Sequence, residues 1–560
     1  MNKVYFTYIL FVFLSLFCGR AEAQLLAGSY PDGTAPYVPS SPKYELRAVW
    51  LTTIGGIDWP HSYNAGAQKE ELCRTLDQLK AVGINTVFLQ TRIRATTIFP
   101  SVLEPWDGCI TGTPGRSPSY DPLRMTIEEC HRRGMQLHAW VVTIPVGKWN
   151  KYGCKVLRSK YPKMLTKIGD EGYMNPERPE TADYLVRICR EIAENYDVDG
   201  IHLDYIRYPE TWKLRVSRAE GRANITRIVR KIHDAVKGAK PWLMLSCSPI
   251  GKHDNLSRYS SNGWNARTRV CQDAQQWLRE GLMDALFPMM YFRDNNFFPF
   301  AIDWAERSYG KQVAAGLGIY FLDPREGRWV LDDVARQMFI SRELGLGHCF
   351  FRSKFLISNV KGIYDFTKNF NSIPALVPPM TWLSDERPAA PVWIEMADSL
   401  TLSWQRSADG NVYNVYASNR YPVDTDNPAN LVATRLTENR LLVDVRPGLH
   451  YAVTVQNRYG LESEACQLSG GRSAVAASKP SALPIPVVDK SVDLPEKPST
   501  LDAYYLVVET LQGRTVRVVP FKGKTLNVSL LPDGVYQWRS LGKKGRNHRL
   551  GFFAVKHKEK

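Results

Sequence analysis

Between residues 45 and 375 the apolar positions follow two alternating patterns. Short, nearly continuous apolar runs, rich in Val, Ile, Leu and aromatics, lie at 47–54, 84–91, 135–142, 199–205, 242–248, 284–291, 313–320 and 347–352. Runs of this length and composition are what strands buried on both faces require. Stretches with a helical period fall between and after them, most clearly at 67–81, 121–133, 180–195, 217–236, 271–280 and 331–344. Asp121-Pro122 and Asn175-Pro176 read as helix starts, and Gly83, Gly134 and Gly345 as helix stops. Eight strand–helix units predict an α/β fold of the TIM (β/α)8 type over residues 43–372. A doubly wound sheet fits less well, because no Gly-rich phosphate loop follows a strand.

The pattern then changes. Five prolines between 374 and 391 (Pro374, Pro378, Pro379, Pro388, Pro391) mark a linker. Short strands with a period of two follow at 399–405, 412–419, 440–446 and 451–460, and Trp404 and Tyr451 stand where an immunoglobulin-like sandwich keeps its core aromatics. Residues 390–470 resemble a fibronectin type III module. A Ser/Ala/Pro-rich linker occupies 470–499, and further strands over 500–558 predict a small C-terminal β-domain. The first 23 residues read as a signal peptide: Lys3, an apolar stretch Tyr5–Phe17, and Ala21-Glu22-Ala23 before Gln24. That stretch is short for a bilayer span, and export to the periplasm, cell surface or medium is expected.

Charge adds one constraint. The formal net charge is +16, but the basic residues are scattered and the tail 543–560 supplies a good share, so nucleic-acid binding is not expected. Acidic glycans and peripheral association with an anionic cell surface remain compatible. Nine cysteines follow the leader, an odd number without a C-x-x-C pair, which argues against a zinc site and a disulfide scaffold. No H-E-x-x-H, G-x-S-x-G or P-loop occurs, so neither metal nor cofactor is expected. Oligomeric state is not legible.

The most informative stretch is Val198–Pro209. Strand alternation puts His202 and Asp204 on one face, Ile201 and Leu203 on the other. An inward carboxylate at a strand end is costly to bury without a partner or a purpose, and in a parallel barrel catalytic groups sit at that end. Two readings stand side by side: catalysis, or a structural pair with Arg207. Other strand ends carry groups suited to sugars, aromatics for their CH faces and amides or charges for their hydroxyls: Trp59, Gln90, Arg92, Glu104, Trp106, Trp140, Tyr291 and Asp294. Each has a plainer reading. Trp59 and Trp140 suit the core, Arg92 can balance Glu104 or Asp204, His202 can be a satisfied interior histidine, and Asp294 lies in the polar run Arg293–Asn296. Asp199 faces the opposite end of the barrel.

These motifs, in this order, resemble the glycosyl hydrolase-like family 10. Glu45–Thr53, Asp58-Trp59-Pro60, Phe88–Arg92, Glu104-Pro105-Trp106, Tyr120–Leu123, His138-Ala139-Trp140, Met174-Asn175-Pro176, Asp199–Pro209 and Ser248-Pro249 carry the resemblance over roughly 43–370. It implies a TIM barrel with glycoside hydrolase activity and Asp204 as the inward carboxylate. Thr96 and Tyr205 stand where the family usually has Asp. Glycosidic cleavage needs two carboxyl groups. Asp204, close to Arg207, is expected to stay ionised as nucleophile or electrostatic stabiliser. Asp294 is the first candidate for the acid, with Asp254 and Glu104 behind it. Trp59, Gln90, Arg92, Glu104, Trp106, Trp140, Asn175, His202, Arg207 and Tyr291 are the expected substrate contacts, on a polysaccharide or host glycan. The alternative is a carbohydrate-binding surface protein without catalysis.

Overall fold

The computed structural model describes residues 41–557, except 399, 409, 444–447, 470–486, 495–502, 511–514, 521–524, 530 and 543–548. The expected leader 1–23 and most of the expected second linker lie outside the described residues.

Eight parallel strands close into a barrel: Arg47–Leu51, Thr86–Arg92, Gln136–Val142, Gly200–Asp204, Met244–Cys247, Ala285–Leu286, Gln312–Leu317 and Gly347–Phe350, in that order around the ring. Each expected run supplies one strand. The sixth is cut to two residues because Pro288 cannot donate to a ladder, yet Met289 pairs again with Ile250 and Gly316 beyond it. Outward residues such as Ile201 and Leu203 pack on the helices, while Trp50, Phe88, Trp140 and Phe287 fill the interior. Asp121 caps its helix as expected, and Asn64 and Ser217 each accept a first-turn N–H on two others, but the helix expected to start at Asn175-Pro176 begins at Pro179, with no side-chain cap from Arg178. A three-stranded antiparallel sheet, Pro145–Lys148, Leu165–Ile168 and Glu171–Met174, with a helix at Tyr152–Lys160, is inserted after the third strand. Its strands are four residues long and hold Gly and Lys, too short to show a period.

Glu45 closes the ring. Its carboxylate accepts from Arg47 Nε at 2.6 Å, on the first strand, and from Arg342 Nε and Nη2 at 2.8 and 2.7 Å, on the helix before the last strand. Burial alone would raise its pKa, but the Arg47 charge and the Arg342 bonds bring it from the usual 4.5 down to about 2. A depressed carboxyl stabilises the fold above its unfolded pKa and loses that contribution as pH falls through the folded one. Glu45→Gln should therefore lower stability at pH 7 and flatten its fall between pH 4.5 and about 2. Urea unfolding across that range checks this; an unchanged acid slope would contradict it.

Beyond the linker, two antiparallel sheets follow. One holds Ile394–Met396, Thr401–Trp404 and Arg440–Leu442, the other Leu431–Leu436, Val412–Ser418, His450–Gln456 and Cys466–Leu468. Trp404, Tyr413 and Tyr451 are buried between them. These sheets dock on the N-terminal end of the barrel. Arg435 pairs with Asp199 at 2.6 Å and Arg458 with Asp197 at 2.9 Å. At Gly134 (φ +67°) a Cβ would stand 2.2 Å from the Thr434 carbonyl oxygen, so this helix stop is also a contact only glycine permits. A five-stranded sheet from Val487 to Val555 ends the chain, with Leu506, Trp538 and Phe553 in its core.

Candidate active site

Asp204 is the last residue of the fourth strand, at the C-terminal end of the barrel. Its register partner is Val142, and its carbonyl accepts from Thr143 N and Oγ1 at 2.9 and 2.8 Å. The side chain is 8% exposed. Oδ1 accepts from Tyr205 N and Ser248 Oγ, each at 2.8 Å, and Oδ2 from Trp140 Nε1 at 3.2 Å. Three neighbouring strands thus fix one carboxyl rotamer.

The electrostatics run against the expectation that Arg207 holds this carboxyl low. Burial lifts the Asp204 pKa above the usual 3.8, and the Ser248 bond, the Arg207 charge, the Tyr205 N–H and the Trp140 bond do not offset it. Arg207 is spent elsewhere: it donates to Glu210 at 2.8 Å and lies 4.3 Å over the Tyr205 ring. Tyr205 itself has φ +55°. A bulky residue in the left-handed region carries strain of about 1–3 kcal/mol, which characteristically gathers at working sites.

An aromatic wall stands beside the carboxyl. Tyr291 is half-buried, and burial raises its phenol pKa, with the Asp204 and Tyr205 charges adding to the effect. Its ring lies 5.4 Å from Phe351 and 5.8 Å from Tyr320. Trp50 meets Phe351 from inside the barrel at 5.9 Å. One protonatable acid against apolar ring faces suits a sugar, whose CH face stacks while its oxygens take hydrogen bonds.

The remaining sequence candidates divide. Trp140, Arg207 and Tyr291 join Asp204. Five others are closed to a ligand. Trp59 is fully buried and donates to Gln68 O at 2.9 Å. Gln90 Oε1 caps Thr53 N and Ile54 N. Arg92 and Glu104 form an enclosed pair at 2.7 Å. His202 sits in the barrel interior between Trp50 Nε1 and Ser246 Oγ, its ring 4.3 Å from Phe88. Trp106 is half-buried and bridged to Thr97, and Asn175 turns the chain by accepting from Glu177 N. Asp294 is exposed in a single 3-10 turn, 3.7 Å from Arg336, and no hydrogen bond or ion pair links it to Asp204. Asp254 pairs with Arg267 at 2.9 Å. Asp199 holds His131 and Arg435 at the far end.

Phe351 is a site residue the sequence did not single out, its only signal being its place directly after a strand end; Ser248 stood in the Ser248-Pro249 motif but was given no role. Across the rim, Asp58 pairs with Arg352, joining the loops after the first and last strands. Among the described residues, no three His, Cys, Asp or Glu side chains converge to hold a metal, and no helix is long and apolar enough to cross a membrane.

The chain matches the model of the family Glycosyl hydrolase-like 10 over residues 45–321. It is 30% identical over 415 residues to the glycosyl hydrolase YngK of Bacillus subtilis (strain 168), covering 66% of this chain and 81% of that one. It is 31% identical over 307 residues to the glycosyl hydrolase DigH of Escherichia coli (strain K12), covering 48% and 69%. Among solved structures, the PgaB (BpsB) glycoside hydrolase domain from Bordetella bronchiseptica aligns at a TM-score of 0.43 and 14% identity, over 60% of this chain and 100% of that one.

Proposed function

Because this chain belongs to the glycosyl hydrolase-like 10 family, we propose that it is a glycosidase whose proton donor is Asp204. The observation that carries this reading is a single buried carboxyl, raised in pKa, at the C-terminal end of the fourth strand beside an aromatic wall. A general acid must hold its proton near the working pH, and burial is the usual means. Oδ1 already accepts two hydrogen bonds and Oδ2 one longer bond, so the proton belongs on Oδ2, on the lone pair that the Trp140 N–H leaves free. The roles expected from the sequence are therefore exchanged: Asp204 protonates the leaving oxygen, and an ionised partner serves as base or nucleophile. Asp294 is the partner we assign, on the loop after the sixth strand. Two such groups need not touch. They stand about 5–5.5 Å apart in retaining enzymes and about 6.5–9.5 Å apart in inverting ones. The substrate is a polysaccharide or host glycan, and the leader-like segment 1–23 supports an exported enzyme.

One observation favours a second reading, carbohydrate binding without cleavage. Tyr205 follows Asp204 where the family usually has a second Asp, and no carboxylate shares a hydrogen bond with Asp204. A screen of the full chain against aryl glycosides and polysaccharides separates the two. Turnover is expected; binding without turnover would support the second reading.

Ser248 gives a finer test. Its hydroxyl favours the ionised carboxylate, so removing it raises the Asp204 pKa further. An enzyme that needs Asp204 protonated loses activity as pH rises. Ser248→Ala should therefore move the alkaline limb of the kcat/KM profile upward. A limb that stays or moves down would refute the assignment.

A further inference from the structure

The rim also carries a shelf apart from the Asp204 carboxyl. The loop after the fifth strand exposes Trp264, 41% accessible, and no other aromatic ring of the described residues packs on it. Exposed aromatics are common singly, but the loop that carries this one is hydrogen-bonded on both sides of it. Gly263, before it, has φ +145°, a conformation suited to glycine, and its N–H donates to Asn255 Oδ1. Asn265, after it, is buried and caps Thr268 N. Lys252 Nζ pins the loop by donating to Asn262 O and Asn296 Oδ1 at 3.1 and 2.6 Å. The backbone is thus ordered on both sides of an indole left in solvent, so stacking a ligand there has little loop entropy to overcome.

A cavity of about 220 Å³ opens between the two residues that flank Trp264, lined by Arg218, Arg269, Asn255, Gly263, Asn265 and Thr268. Arg218 begins the helix that follows the Asp204 strand, so the cavity lies between the fourth and fifth strand–helix loops. Tyr208 N donates to Val270 O at 3.0 Å, joining those loops four residues past Asp204. Arginines 222, 258 and 267 on the same elements each hold a carboxylate. Among the described residues no carboxylate pairs with Arg218 or Arg269. Two guanidiniums without a carboxylate partner line a polar cavity whose wall includes both chain neighbours of an exposed indole, a combination that asks for an anion attached to a sugar ring.

We infer that this shelf is a subsite for an acidic sugar: Trp264 stacks on the ring, and Arg218 and Arg269 take its anionic substituent. The inference rests on carbohydrate recognition at this rim. It is tested by binding of the full chain to an array that pairs neutral oligosaccharides with carboxylated and with sulfated forms of the same backbones. Wild type should bind one acidic series at least about tenfold better than the neutral one, the size of one charge-assisted contact. The carboxylated and sulfated arms identify the anion. R218Q/R269Q should abolish the preference, W264A should weaken neutral and acidic binding alike, and the charge-matched R74Q/R190Q on outer helices should change neither. Equal binding of neutral and acidic forms, or a preference that survives in R218Q/R269Q, overturns the inference. Turnover without an acidic preference would sink this subsite and leave the glycosidase reading intact. An acidic preference without turnover on any glycoside would do the reverse.

Discussion

Asp204→Asn is expected to lower kcat/KM on unactivated glycosides by about 10²–10⁴-fold, the range a positioned general acid contributes. The substitution is gentle on the fold. The carboxamide oxygen can keep the two 2.8 Å bonds from Tyr205 N and Ser248 Oγ, and only the 3.2 Å bond from Trp140 is given up. Circular dichroism and the unfolding midpoint should therefore stay close to wild type while turnover falls. Glycan binding should persist, because the aromatic wall of Tyr291, Tyr320 and Phe351 is untouched. Undiminished turnover would remove Asp204 from the chemistry.

The largest stability effect is expected at Arg92. Its guanidinium donates to Glu104 at 3.0, 2.9 and 2.7 Å and to the carbonyls of Val142 and Thr143, all out of contact with water. Tyr184 adds a bond to the same carboxylate at 3.1 Å. Arg92→Met leaves Glu104 buried without its counter-charge, which costs about 3–5 kcal/mol. Arg92→Met/Glu104→Gln should recover much of that loss, since no uncompensated charge is left. Denaturant unfolding of the two variants checks this, and a double variant no more stable than the single would contradict it. The loss should reach the site as well. Thr143 bonds the Asp204 carbonyl through both its N–H and its hydroxyl, so freeing the end of the third strand loosens the carboxyl it braces.

The barrel was legible because both faces of a parallel sheet are buried, which writes each strand as an apolar run. All eight runs became strands, even 284–291, where Pro288 leaves only Ala285 and Leu286 in the ladder. The antiparallel insert at 145–174 was not legible, since four-residue strands interrupted by Gly147 and Gly172 carry no period. Asp204 was legible as an inward acid from alternation alone. The upward direction of its pKa was not, because that is set by burial under residues from other strands and by Arg207 choosing Glu210. Proximity in sequence offered Arg207 two carboxylates and did not say which it would take. Arg92, Glu104 and His202 were misleading for a related reason. A polar residue at a strand end looks the same whether it meets a ligand or a buried partner, and here each meets a partner.

The proposed proton donation from Asp204 to the departing oxygen carries its own kinetic signature. The most direct measurement is the leaving-group dependence of kcat/KM for Asp204→Asn against wild type, on a series of aryl glycosides of the sugar the enzyme cleaves. A phenol of low pKa leaves without help, and one of high pKa needs a proton. The variant is expected to approach wild type on dinitrophenyl glycosides and to fall progressively behind as the phenol becomes more basic. An equal loss on every leaving group would contradict it and return Asp204 to the role of nucleophile or stabiliser.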